Sequence, residues 1–151
     1  QVMNSKEVHE SLDSFVSNFS NNKEILSLIG YKLSTEYPDL ALKFLSDNNF
    51  KDLILKFECF KSLKNNAEAL TVSKKVIDLE PNKIEGWILA GWCSYEMKNY
   101  RDANNYFESA LGCDISSPDA LVGKALVLKA QNKDYTYYNR VLEAIDSELV
   151  I

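Results

Sequence analysis

A self-similarity with a period of 34 residues runs through the last two thirds of the sequence and constrains its fold more than any single motif does. Windows 50–83, 84–117 and 118–151 bring Leu53, Trp87 and Leu121 into register, then Phe57, Gly91 and Ala125, then Phe60, Ser94 and Leu128. The register continues without a gap through Ala69, Ala103 and Tyr137, through Ser73, Phe107 and Val141, through Val76, Ala110 and Ala144, and through Ile77, Leu111 and Ile145. A period of this length denotes one supersecondary unit stacked on copies of itself, because a single unit cannot bury its apolar face alone.

Within each window the apolar residues recur at intervals of three and four, in two blocks split by a short polar turn, which is the pattern of a helix pair. In the middle window the first block is Trp87, Ile88, Ala90, Gly91, Ser94 and Tyr95, and the second is Ala103, Tyr106, Phe107, Ala110 and Leu111. Lys64-Asn65, Lys98-Asn99 and Asn132-Lys133 mark the turn in the three windows. Helix starts are signalled by Asn49 with Asp52, by Asn82 with Glu85 at capping-box spacing, and by Ser117 before Pro118. Small residues at Ala69, Gly91, Ala103 and Ala125 let paired helices approach, and Phe57, Phe60, Trp87 and Phe107 fill the flanks as core.

Upstream, residues 23–33 and 38–48 read as a shorter, divergent helix pair, with Leu26, Ile29, Gly30 and Leu33 followed by Ala41, Leu42 and Leu45. Residues 4–20 carry the apolar stripe Val8, Leu12, Phe15, Val16 and Phe19 of a further amphipathic helix. That helix is expected to cap the stack, since an exposed first repeat must be covered; the alternative is a homodimer formed through it.

The run WILAGWCSYEMKNYRDANNYFESAL, residues 87–111, resembles the tetratricopeptide (TPR) repeat. Trp87, Ala90, Gly91, Tyr100, Ala103, Phe107 and Ala110 stand at that family's spacings, and Pro81 closes the preceding window. The resemblance implies an all-α fold, a right-handed α-solenoid of antiparallel helix pairs with an N-terminal capping helix. A single TPR-like domain over 1–151 would then comprise the helix at 4–20, a divergent repeat at 23–49, and repeats at 50–83, 84–117 and 118–151. There are departures from the pattern. Ser94 stands where an aromatic is usual, Lys56 and Lys124 replace apolar residues, Ile115 replaces the closing proline, and Tyr137 replaces the small residue of the last helix pair. Tyr137 forbids the usual close approach, so the third repeat is expected to be splayed or shifted in register.

In proteins of this kind the first helices of successive pairs line a concave groove. The corresponding stripe here is Ile54, Glu58 and Lys61, then Ile88, Trp92 and Tyr95, then Val122, Leu126 and Lys129, each triplet at i, i+4, i+7 on one helix face. The middle triplet is apolar for a solvent surface, and Trp and Tyr are residue types that anchor interfaces; packing of Trp92 and Leu126 between neighbouring helices is the competing reading. One variant of the family holds a C-terminal carboxylate with lysine, asparagine and arginine. Ile54, Ile88 and Val122 stand where such groups would be required, so an apolar or helical protein segment is the expected ligand.

Other classes of function find little support. The formal charge of -5 lacks the concentrated basic face a nucleic-acid binder needs. Window 50–83 holds seven lysines against five acids, a mild excess that reads as a solvated face. No apolar run reaches the ~20 residues of a membrane helix. Cys59, Cys93 and Cys113 are an odd count without a close pair, which suits thiols in a reducing, cytoplasmic compartment. With one histidine, His9, and no phosphate-binding glycine loop, the sequence suggests no catalytic centre, metal or cofactor. The expected function is a non-enzymatic protein-interaction scaffold or adaptor, a segment of a larger TPR protein. Alternatives are a bacterial type III secretion translocator chaperone of the TPR class and an accessory domain of a multi-protein enzyme complex.

Overall fold

The protein is described by a computed structural model covering residues 4–19 and 21–151. Among the described residues it is all-α, as expected, with nine α-helices and a short 3-10 turn. Its chain forms two compact units that divide between Val72 and Ser73, inside one helix.

The first unit holds α1 (Ser5–Asn18), α2 (Lys23–Leu33), α3 (Pro38–Ala41), α4 (Phe50–Ser62) and the start of α5 (Asn66–Leu79). A reciprocal capping box starts α1: Asn4 Oδ1 accepts the Glu7 N–H at 2.9 Å, and Glu7 Oε2 accepts the Asn4 N–H at 3.0 Å. On its apolar side Phe15 lies 6.2 Å from the Phe44 ring, and Asp13 pairs with Lys43 at 2.6 Å. Ser20, at the expected end of this helix, lies outside the described residues.

The expected helix over 38–48 stops at Ala41. Beyond it the backbone bonds tighten, with Lys43 N–H donating to Leu40 O at 3.1 Å and Phe44 N–H to Ala41 O at 3.0 Å. The cause lies in Ser46-Asp47-Asn48-Asn49, where polar side chains compete with the helix for backbone groups. Ser46 Oγ accepts the Asn48 N–H at 3.1 Å, and Asn49 Oδ1 caps α4 through Lys51 N–H at 2.9 Å. Ala41, Leu45 and Cys59 form the core here, with Leu33, Leu42 and Leu55 packed on it.

The second unit holds the rest of α5, then α6 (Ile84–Glu96), α7 (Tyr100–Cys113), α8 (Pro118–Ala130), α9 (Thr136–Ile145) and the 3-10 turn Ser147–Leu149. Short turns fold α6 against α7 and α8 against α9 as antiparallel hairpins. The fully buried Phe107 ring presses on two glycines: a Cβ on Gly91 would lie 2.7 Å from it, and one on Gly123 closer still. Ser117 caps α8 ahead of Pro118, as the sequence indicates. At α6 the cap is Lys83 rather than Asn82, and it makes no side-chain capping bond.

Lys64, Lys98 and Asn132 each adopt a left-handed backbone, with φ of 56°, 61° and 55°. Each ends a first helix with the same bond, from Asn65 N–H to Phe60 O at 2.8 Å, from Asn99 N–H to Ser94 O at 2.8 Å and from Lys133 N–H to Leu128 O at 2.9 Å. The turns therefore keep the 34-residue register. The last helix does not. Gapless alignment places Val141 at the Phe107 position, but the fully buried residue of α9 is Leu142. Tyr137 is too large for the small-residue position; it stands 70% exposed, and α9 starts at Thr136 after a lengthened turn. The register slips by one residue, the shifted rather than the splayed form of the expected departure.

Candidate protein-binding surfaces

In the first unit the α4 triplet is divided. Ile54 is half-buried, Glu58 is exposed, and the half-buried Lys61 donates to Asn66 Oδ1 at 2.8 Å. With Leu55, Ile54 lines a cleft of about 840 Å³ between α2 and the start of α4. The opposite wall is Leu28 and Tyr31, both 58% exposed. Its floor is polar. Asp52, only 2% exposed, accepts the Ser46 N–H at 2.8 Å and a short bond from the Ser27 hydroxyl. Leu28 and Tyr31 escape a reading based on α4, α6 and α8 alone. Their signal is present in α2 nonetheless: Leu26 and Gly30 take the buried face, which leaves Leu28 and Tyr31 three residues apart on another.

In the second unit Ile88, Trp92 and Tyr95 of α6 are half-buried and pack, with Tyr100, on the core of Ala103, Phe107 and Val127. The Trp92 ring meets Phe107 edge-on at 5.1 Å and Tyr95 at 5.9 Å. Its indole is thus held by packing while part of its surface stays in solvent. On α8, Val122 and Leu126 are half-buried, and the exposed Lys129 places its ammonium 5.9 Å from the centre of the Tyr135 ring.

The lysines that break the apolar pattern have partners. Lys56 pairs with Asp47 at 2.6 Å. Lys124, 4% exposed, pairs with Glu108 at 2.6 Å, bonds Asn104 Oδ1 and lies over the Tyr138 ring. The Lys124 hydrogen bond holds the Glu108 carboxyl below the usual carboxylate range, against the opposing effect of partial burial. Burial, and then the Glu58 charge, push the Cys59 thiol up, which suits a packing role over a reactive one. Among the described residues no group of three or more His, Cys, Asp or Glu is placed to hold a metal ion, and no helix is long and apolar enough to cross a membrane.

No family model matches the chain. It is 30% identical over 118 residues to a TPR repeat-containing protein of Methanocaldococcus jannaschii, an alignment covering 76% of this chain and 21% of the relative. The chain thus spans about a fifth of that relative's length. Among solved structures it is similar to MamA. One crystal structure superposes with a TM-score of 0.76 at 13% identity, covering 95% of this chain and 83% of that one. A second gives 0.75 at 14% identity, with 98% of each chain covered. The fold is that of TPR-like helical-repeat proteins, as the sequence resemblance implies.

Proposed function

We propose that the chain is a protein-binding scaffold or adaptor with no catalytic role, which takes up a peptide or helical segment of a partner on the exposed apolar faces of its first helices. The observation that carries this reading is the cleft of about 840 Å³ walled by Leu28, Tyr31 and the half-buried Ile54, in which Leu28 and Tyr31 stand in solvent although α2 has a separate buried face. The stripe on α6 and α8, with Trp92, Tyr95, Val122 and Leu126, supplies a second apolar surface, this one half-buried. The longer TPR relative supports a place within a larger repeat protein, and three thiols without a disulfide suit a cytoplasmic one.

The test is affinity capture from the source cells with quantitative mass spectrometry. A specific partner should be retained by the wild type and by a control carrying Leu79→Asp, and lost when Leu28 and Tyr31 are both replaced by Asp. All three substituted residues are exposed, so helix content should not change. Retention of the partner by the double variant defeats the assignment of the cleft.

A further inference from the structure

The 34-residue register lets two junctions inside the second unit be compared. Between α5 and α7, Trp87 at the head of α6 lies beside the Tyr106 ring, centroids 6.4 Å apart, and donates its indole N–H to the Pro81 carbonyl at 2.9 Å. Between α7 and α9 the counterpart of Trp87 is Leu121, and that of Pro81 is Ile115. Tyr106 maps onto Arg140, or onto Val141 once the one-residue slip of α9 is counted. Neither ring of the first junction has an aromatic counterpart at the second.

What stands at the second junction is a cleft of about 660 Å³, lined among others by Leu111, Ile115, Leu121, Tyr137, Val141 and Ile145. Two of these are unusually open for their size, Ile115 at 80% and Tyr137 at 70% exposure. Gly112, on the same wall, would find nothing within 4 Å of an added Cβ, so packing within the chain does not account for a glycine in this helix.

We infer that the α7–α9 cleft is a socket for an aromatic side chain, an indole for preference, presented by a partner protein. The occupant is identified by the molecule's own first junction, where an indole fills the equivalent niche and bonds the equivalent carbonyl. A partner's indole would set its ring against Leu121 and Val141, with the Ile115 carbonyl placed to accept its N–H. Aromatic side chains with one polar atom suit such a niche because they bring a large apolar area and a single hydrogen bond to aim. This inference rests on the reading of the chain as a protein-binding scaffold but uses a different surface from the α2–α4 cleft.

The probe is N-acetyl-L-tryptophanamide, titrated into the full chain and followed by the methyl resonances of Leu111, Ile115, Leu121, Val141 and Ile145. Saturable shifts confined to those methyls are expected. N-acetyl-L-leucinamide, and the tryptophan analogue methylated on the indole nitrogen, should each bind about fivefold or more weakly, the second through loss of one hydrogen bond. Leu121→Trp, which rebuilds the Trp87 niche from within, should abolish the shifts. Ile115→Asp alters an exposed rim residue and should weaken binding at least about tenfold, so it carries the test if Leu121→Trp fails to fold. Shifts that never saturate, that leucinamide reproduces equally, or that survive Ile115→Asp overturn the socket. The Leu28 and Tyr31 double variant should titrate as the wild type does, so failure of the socket and failure of the α2–α4 reading are read separately.

Discussion

At one position of the 34-residue register the two units build the same junction with opposite chemistry: Asp52 in the first and Gly86 in the second. Gly86 sits where α5 runs on to Leu79 and lays Ile77 across the head of α6. A Cβ there would lie 2.8 Å from Ile77 Cγ1 and 3.0 Å from the Ile77 backbone nitrogen. In the first unit the preceding helix ends at Ala41, and the head of α4 faces a loop instead. The Asp52 carboxylate reaches into that loop and accepts the Ser46 N–H and the Ser27 hydroxyl. At Gly86 the complete helix α5 leaves no room for a Cβ. A truncated one leaves backbone groups that a buried polar side chain must satisfy.

The most severe way to break this comparison is to exchange the two solutions. Gly86→Asp should cost about 4 kcal/mol, since it overpacks Ile77 and buries a carboxylate with no donor provided for it. Both tryptophans, Trp87 and Trp92, lie in the second unit, so urea unfolding followed by their fluorescence reads the loss directly. A variant as stable as the wild type would mean that α5 yields, and that the glycine is not set by close packing. Asp52→Ala should cost about 2 kcal/mol by leaving the Ser46 N–H and Ser27 hydroxyl without their acceptor. Its mark is faster amide exchange in residues 45–55, with little change in fluorescence. Protection unchanged there would show that the loop is held by other contacts.

The same junctions explain how much of the molecule was legible in its sequence. Where a repeat is complete, the period gives the helix pairs, and it places the three turns to the residue, because each is closed by a left-handed residue and the same backbone bond at one register position. It gives no such control at α3, where the buried Asp52 resembles any surface carboxylate until the loop above it is seen, nor at α9, where Tyr137 displaces the register by one. The proposed binding stripe was legible only in part. Its periodicity marks one flank of α6 and leaves packing and ligand contact as rival readings of Trp92, whose half-buried ring leans edge-on against Phe107. The Leu28–Tyr31 wall was missed because the divergent first pair obscures which of its faces is buried.

A smaller effect separates what the two units share from what divides them. Lys64 in the first and Lys98 in the second hold the same left-handed turn, so that turn is independent of whether the preceding helix is complete. Lys98→Gly should stabilise by about 1 kcal/mol, since glycine adopts this backbone without the penalty of a Cβ. Asn132→Gly should gain less, because asparagine tolerates the conformation better than lysine does. Thermal unfolding monitored by fluorescence orders the two. Equal gains, or a loss at Lys98, would show that the lysine side chain contributes more than its backbone strain removes.

The smallest effect concerns Lys56 and Lys124, which again share a register position across the units, with the buried Ala90 between them in sequence. Lys124 draws the Glu108 carboxyl below its ordinary value of 4.5, so the folded protein binds a proton at Glu108 less readily than the unfolded chain does. The stabilisation is therefore fully present above about pH 4.5 and is lost as pH falls through the lower folded-state value. Glu108→Gln removes this contribution. Stability curves of wild type and variant should stand apart at pH 7 and converge in acid. The Glu108 side chain is 57% exposed, so solvent screening keeps the separation below about 1 kcal/mol. Curves that stay parallel from pH 7 to pH 3 would show that Lys124 is held by Asn104 and the Tyr138 ring without help from the Glu108 charge.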